Sequence, residues 1–280
     1  MKSFIIHAPA KVNLFLHIIS KKTNLHHEIE SLVVFTNFCD KIYFEENDTL
    51  EIHFKGPMLN DLPGLEDNII YKAALILMKK HNIKSGAKIL VEKKIPVAAG
   101  LGGGSSNAVA VIRGLSKLWG IDVNENDILN HFLCLGTDIP VCFRNETSLV
   151  KGIGDICVSV NNFPNYFLLL VNPKKKLETK KVYSTVDLSS CYRNEIELTK
   201  INQQVNDFRN DLCPSAKKIV PDIGLIIKEL KSSPGCIFAR LSGSGPTCFG
   251  VFDTKENSEK ASKNINKNFD WWTMPTYING

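Results

Sequence analysis

Four glycines within five positions, Gly100, Gly102, Gly103 and Gly104, sit in the run Ile95-Pro-Val-Ala-Ala-Gly-Leu-Gly-Gly-Gly-Ser-Ser-Asn-Ala108. Glycines let a backbone approach a ligand closely, and the open N–H groups and positive dipole end of a following helix favour an anion. A di- or triphosphate is the anion that needs such donor density. A glycine-rich turn can also simply join two elements, but each glycine adds to the entropy lost on folding, so four at one place need a reason. The P-loop requires Gly-x-x-x-x-Gly-Lys-Ser/Thr, and no lysine precedes Ser105. The dinucleotide fingerprint Gly-x-Gly-x-x-Gly is nearly met from Gly100, but Ser105 stands at the third glycine. No clear acidic residue ends a second strand about twenty residues further on either. Neither motif fits.

Two charged residues stand in unusual company. Lys11 opens an apolar stretch after Ala8-Pro9-Ala10, and lysine in that position is commonly a solvated surface residue. Asp138 lies in Leu135-Gly-Thr-Asp-Ile-Pro-Val-Cys-Phe143, alone among apolar residues. It reads either as a turn or cap residue or as a general base or metal-orienting carboxylate.

The elements that must position these residues follow from periodicity. Ala87, Ile89 and Val91 alternate with mostly charged neighbours, which predicts a strand feeding the glycine run. Ala108, Val111, Ile112, Leu115, Leu118 and Trp119 recur at helical spacing after it, with Ser105 or Ser106 suited to the N-cap. Lys11 to Ile19 alternates with a half-polar second face and predicts a strand. Further strands are expected over 32–38, 41–46 and 50–55, and Asp67 or Asn68 caps a helix running to His81. Asn124, with Asp127 as its partner, starts a helix to about Leu135 that Gly136 ends. Strands over 156–160 and 167–171, a helix over 180–184 capped by Thr179, and a helix over 223–230 come next. A second glycine-rich turn, Gly243-Ser-Gly-Pro-Thr247, precedes a strand over 248–252, a helix over 255–266 and a last strand near 273–278. Residues 187–215 are polar and ambiguous. The adjacent His26 and His27 are poor evidence for a metal, because neighbours on a strand or loop point apart.

The 280 residues suffice for two domains or one large one, and 44% hydrophobic with 22% charged residues is ordinary for a soluble protein. A net charge of +5, spread along the chain, argues weakly for an anionic ligand and poorly for nucleic acid. Eight cysteines without a Cys-x-x-Cys pair suggest a reducing compartment and core packing. No signal peptide or membrane span is read, so the expectation is a cytoplasmic protein.

Three separated pieces carry a family resemblance. Pro9-Ala-Lys-Val-Asn-Leu14, the run Pro96-Val97-Ala98-Ala99-Gly100-Leu101-Gly102-Gly103-Gly104-Ser105-Ser106, and Leu241-Ser-Gly-Ser-Gly-Pro-Thr247 resemble the three motifs of the GHMP kinases. That family is named after galactokinase, homoserine kinase, mevalonate kinase and phosphomevalonate kinase. Pro-Ala-Lys-x-Asn-Leu, the triple glycine before Ser-Ser-Asn-Ala, and Leu-Gly-x-Asp-x-Pro are similar to its branch acting on a cytidine-diphosphate-linked sugar alcohol. The resemblance runs end to end at matching spacing.

The resemblance implies an α+β, two-domain fold: an N-terminal domain like the second domain of ribosomal protein S5 over 1–160, a C-terminal ferredoxin-like domain over 161–280, and the active site in the cleft between. It implies ATP-dependent phosphorylation of the 2-hydroxyl of that sugar alcohol, in the non-mevalonate route to isoprenoid precursors. Lys11 and Asp138 become the catalytic pair. The run Pro96 to Ser106 becomes the ATP-phosphate loop, with Mg2+ bridging the phosphates and Ser106 a candidate contact to it. Asn13, His26, His27 and Tyr183 become substrate-binding residues; His26 stands where the family has tyrosine, implying that a histidine ring holds the base. Two rivals remain, another small-molecule kinase of the family (homoserine or mevalonate type) and a non-catalytic RNA-binding module. Against the second, no basic face interleaved with exposed aromatics is found.

Overall fold

The computed structural model describes residues 3–21, 27–191 and 196–279. Two compact units divide the chain: 1–10, 38–97 and 102–145 form one, and 11–37, 98–101 and 146–280 the other. Strands β1 (Ser3–Lys21) and β2 (His27–Asn47) pair with each other and each contributes to both units.

In the first unit the end of β2 is antiparallel to β4 (Gly86–Glu92), with Lys41 opposite Glu92, and β3 (Leu50–Lys55) is parallel to β4. Ile42 and Phe44 on β2 and Ala87, Ile89 and Val91 on β4 are fully buried, the inward face that the alternation predicts. Helices α1 (Ile69–Lys80) and α2 (Gly103–Trp119) pack on each other, and α3 (Ile139–Arg144) packs on α2. Asn68 caps α1 by accepting from Ile70 N at 3.0 Å.

Two expectations are corrected in this unit. The separate strands expected over 32–38 and 41–46 are one strand, because Cys39-Asp40 contains no glycine or proline to turn the chain, and Asp40 sends its side chain inward instead. The Asn124–Asp127 capping box is present, but the helix it starts is a single α turn (Glu125–Asp127), then a π turn (Ile128–Phe132) and a 3-10 turn (Leu133–Leu135). Ile128 and Phe132 both enter the core across that π turn.

In the second unit the start of β2 is antiparallel to β5 (Ser148–Gly152), which is antiparallel to β6 (Ile156–Ser159). The order β10-β7-β9-β8 follows, antiparallel at every pairing, for β7 (Phe167–Asn172), β8 (Cys236–Leu241), β9 (Cys248–Phe252) and β10 (Trp272–Asn279). Between β7 and β8 lie α4 (Thr179–Ser184), α5 (Cys213–Ile219) and α6 (Asp222–Ser232), and between β9 and β10 lies α7 (Lys255–Asn268). Helix α6 packs on β8 and β9, and α7 on β7, β9 and β10. With β7, β8, β9 and β10 as first to fourth strands, the order is 4-1-3-2 with helices after the first and third, which is the ferredoxin-like pattern. Thus the α+β expectation and the ferredoxin-like C-terminal part agree with the structure. Among the described residues, no helix is long and apolar enough to cross a membrane.

Strand β1 departs most from an ordinary strand. Every residue from Lys11 to Ile18 is buried, so its polar residues Lys11, Asn13 and His17 are covered along with the apolar ones.

Packing in the first unit is tight where α2 crosses β2. A β-carbon on Gly114 would lie 2.2 Å from Cζ of the buried Phe44. Gly114→Ala is therefore expected to destabilise the protein by about 1–3 kcal/mol through overpacking, despite alanine's better helix propensity, as measured by urea denaturation.

Candidate active site

The site is built from the strand upward. On β1, Lys11 is 4% exposed, and its ammonium donates to Asn13 Oδ1 at 2.6 Å. Burying an ammonium is costly unless it is met by acceptors, so the solvated-surface reading of Lys11 does not hold. Asn13 Nδ2 donates to Ser31 Oγ at 2.8 Å, and Ser31 Oγ donates to the Phe15 carbonyl at 2.5 Å.

The backbone of the same strand ties three sequence motifs together within the second unit. Lys11 N donates to Leu101 O at 3.0 Å, and Asn13 N donates to Ser242 Oγ at 3.2 Å. Ser242 Oγ in turn donates to Gly100 O at 2.9 Å, and Thr247 N donates to Ala99 O at 3.2 Å. So residues 98–101 of the glycine run lie directly against Lys11, Asn13 and the turn Ser242–Thr247. Gly100 is required here twice over. Its φ is +77°, and a β-carbon would lie 2.4 Å from Ser242 O.

The turn 242–247 has its own braces. Asn210 Nδ2 donates to Leu241 O and Gly243 O, both at 2.8 Å, and Asn172 Nδ2 donates to Thr247 Oγ1 at 2.8 Å. Arg240, buried at the end of β8, donates to Leu14 O at 3.0 Å and Asn206 O at 2.7 Å; burial pulls its pKa down to about 10. Thr179, expected as a helix cap, is the first residue of α4, with Glu178 at the cap position. Its hydroxyl lies instead 2.8 Å from Ser244 Oγ.

In the first unit the glycine run leads into α2. The N-cap is Gly102 at φ +62°, not Ser105 or Ser106, and no side chain caps the helix. The physical reason is that Gly102 takes the left-handed conformation, which starts the helix three residues earlier and places both serines in its first turn. The first N–H groups thus receive no side-chain cap, as an anion site requires.

Beneath that turn lies a charged cluster that sequence reasoning misses. Asp40, fully buried on β2, accepts from the Lys93 ammonium, from Lys94 N at 2.6 Å, from Ile95 N at 2.8 Å and from Asn107 Nδ2 at 2.9 Å. One carboxylate therefore pins the residues just before Pro96 and the first turns of α2. Burial pushes the Lys93 amine down, opposed by the charge and hydrogen bond of Asp40. Asn107 is visible as part of Ser-Ser-Asn-Ala, but nothing in sequence connects Asp40 to a loop 55 residues away.

Asp138 stands at the N-cap position of α3, makes no side-chain cap there, and is partly buried. The turn that carries it approaches the first turn of α2, since a β-carbon on Gly136 would lie 3.6 Å from Ser105 Oγ. The rings of His27 and Tyr183 are 5.1 Å apart at 41°, so these two expected substrate residues are neighbours. His26 lies outside the described residues. Among the described residues, no group of three His, Cys, Asp or Glu is arranged to hold a metal.

Comparison with known proteins gives consistent matches. Residues 68–162 match the GHMP kinases N terminal domain and 195–270 the GHMP kinases C terminal domain. The chain is 34% identical to the 4-diphosphocytidyl-2-C-methyl-D-erythritol kinase of Paramagnetospirillum magneticum and 37% identical to that of Wolbachia pipientis wMel, each over 99% of both chains. Among solved structures, a 4-(cytidine 5'-diphospho)-2C-methyl-D-erythritol kinase superposes with TM-score 0.83 at 24% identity, over 99% of this chain and 100% of that one. A homoserine kinase from Cytophaga hutchinsonii superposes with TM-score 0.72 at 17% identity, over 100% and 95%.

Two expected outcomes follow from the geometry. Asp40→Ala leaves the Lys93 charge buried without its carboxylate and is expected to lower stability by about 3–5 kcal/mol, read from the denaturant midpoint. The glycines of the loop should separate by position. Gly100→Ala is expected to be strongly destabilising, whereas a β-carbon on Gly104 meets nothing closer than Ile69 Cγ2 at 3.6 Å. Gly104→Ala should therefore raise stability by about 0.5–1 kcal/mol in the same measurement.

Proposed function

The chain belongs to the GHMP kinase family, and we propose that it transfers the γ-phosphoryl group of ATP to the 2-hydroxyl of 4-diphosphocytidyl-2-C-methyl-D-erythritol, a step of the non-mevalonate route to isoprenoid precursors. The observation that carries the reading is the buried Lys11, hydrogen-bonded to Asn13 and anchored by its own N–H to Leu101 of the glycine run. The substrate is supported by the names of relatives that match along the whole chain.

The chemistry asks for positioning and charge compensation, because phosphoryl transfer passes through a loose transition state. The run Pro96 to Ser106 cradles the ATP phosphates with backbone N–H groups, favoured by the uncapped start of α2. Asp138 accepts or orients the proton of the attacking hydroxyl. As the new oxygen–phosphorus bond forms, the bridging bond to the β-phosphate breaks and ADP leaves. Lys11 holds the hydroxyl and stabilises the charge on the transferred group. Magnesium binds through one or two protein oxygens plus substrate phosphates, and Ser106 and Asp138 are the residues that would hold it here. When bound it would supply positive charge that offsets that of the phosphates.

Asn13, His27 and Tyr183 form the acceptor side, with the His27–Tyr183 pair suited to stacking on the cytosine ring. His26 is assigned to the same role by its place in the motif. We divide the chain functionally near residue 160, nucleotide-binding and catalytic before it and ferredoxin-like after it. Free thiols at Cys39, Cys134, Cys213, Cys236 and Cys248 suit a reducing, cytoplasmic compartment.

A coupled ADP-release assay with ATP, magnesium and the cytidine-linked acceptor, run beside homoserine and mevalonate, tests the assignment. Turnover is expected with the cytidine compound only. Asp138→Asn should lower kcat by about 10²–10⁴-fold, the range for a general base. Lys11→Ala should lower it by about 10²–10³-fold, the range for a lost transition-state donor. Turnover with homoserine or mevalonate alone would move the assignment within the family, and undiminished turnover in either variant would remove that residue from the mechanism.

A further inference from the structure

The hydrogen-bond chain that starts at Lys11 has a direction, and the direction is forced from both ends. An ammonium only donates, and a backbone carbonyl only accepts. Lys11 Nζ must therefore meet the oxygen of the Asn13 amide, which it does at 2.6 Å. The amide then turns its NH2 group to Ser31, where Nδ2 lies 2.8 Å from Oγ. Ser31 Oγ is an acceptor in that contact, and its single proton goes to the Phe15 carbonyl at 2.5 Å. A reversed amide would set NH2 against an ammonium and a carbonyl oxygen against a hydroxyl whose proton is already committed.

We infer that Ser31 is a positioning residue for Lys11: by accepting from Asn13 and donating to the Phe15 carbonyl, it holds the Asn13 amide oxygen on the lysine ammonium. The functional weight of this rests on the kinase reading of Lys11; the polarity of the relay does not. Ser31 has no exposure and Asn13 is 3% exposed, so bulk solvent does not replace a lost partner. The turn at Gly243 runs close by the amide, since a β-carbon there would lie 3.2 Å from Asn13 Oδ1. Its backbone is fixed by the bond from Asn13 N to Ser242 Oγ. With the backbone held, the freedom left to the side chain is the flip of its amide, which Ser31 opposes from one side and the Lys11 ammonium from the other. Lys11, Asn13 and Phe15 are on β1 and Ser31 is on the paired strand β2, so adjacent strands carry the relay.

The test uses the full chain and two readouts. The first is the side-chain ammonium resonance of Lys11 in protein labelled with 15N-lysine, identified by its absence from Lys11→Ala. The second is the kcat and KM of the assay above. Ser31→Ala is expected to shift the resonance or lose it to exchange, and to lower kcat by about 10- to 100-fold, the penalty of a misplaced catalytic group. KM for ATP should stay within about twofold, a split that binding-neutral misplacement produces. Ser31→Thr keeps the hydroxyl and should restore both readouts. If Ser31→Ala does not fold, Ser31→Cys, whose thiol is a weak donor and acceptor, decides by the same measurements.

A folded Ser31→Ala or Ser31→Cys protein with an unchanged Lys11 resonance and wild-type kcat would overturn the inference, even if its melting temperature fell. If the wild type turns over none of the acceptors while the resonance still depends on Ser31, the kinase reading fails and the positioning role stands. Normal turnover that is indifferent to Ser31 keeps the kinase reading and removes the positioning role.

Discussion

An ammonium group inside a protein must be met by acceptors, and the burial of Lys11 imposes that demand on everything around β1. Desolvating the charge is unfavourable by several kcal/mol, so the neighbours are not free to vary independently. Asn13 supplies its amide oxygen, Ser31 sets the amide's orientation, and the Phe15 carbonyl takes the last proton. The turn around Gly243 can come close to the amide because it has no side chain there. Gly100 lets the glycine run lie against the same turn, through Ser242. The strand buried from Lys11 to Ile18 is thus an ordered holder for one cation, with Lys11, Asn13 and Ser31 joined donor to acceptor.

The first unit repeats this logic with the opposite charge. Asp40 has no exposure and is held by four donors, two of them backbone N–H groups of Lys94 and Ile95. A fully satisfied buried network rigidifies what it touches, because any displacement leaves a charge unpaired in a low dielectric. What it touches is the entry to the glycine run and the first turns of α2. Loops of glycine are soft by nature, and this carboxylate makes one end of the loop stiff. The uncapped helix start at Gly102 then keeps donors available that a serine cap would have consumed.

Much of this is legible in the sequence. The strand at 87–92 and the helices at 69–80 and 255–268 follow from apolar spacing and capping residues, which are local properties. The Asn124–Asp127 capping box is legible for the same reason, while the π turn after it is not, since core packing decides how Ile128 and Phe132 are seated. The cap of α2 departs from expectation because serine is the better N-cap by intrinsic preference, and a left-handed glycine earlier in the chain pre-empts it. Thr179 shows the same limit: a good cap by type, it spends its hydroxyl on Ser244, 65 residues away.

The sequence by itself carried the family and the reaction class through the resemblance of three separated motifs to those of the GHMP kinases, because such a resemblance is written residue by residue along the chain. It also determined most element positions, since periodicity is a property of neighbours. Only the tertiary structure decided that Lys11 is buried rather than solvated, that Ser31 and Asp40 matter, and that Gly100 cannot carry a β-carbon where Gly104 can. Each of these turns on contacts between residues far apart in the chain. Charge burial, hydrogen-bond polarity and steric clearance depend on what folding brings alongside, and no local pattern encodes it.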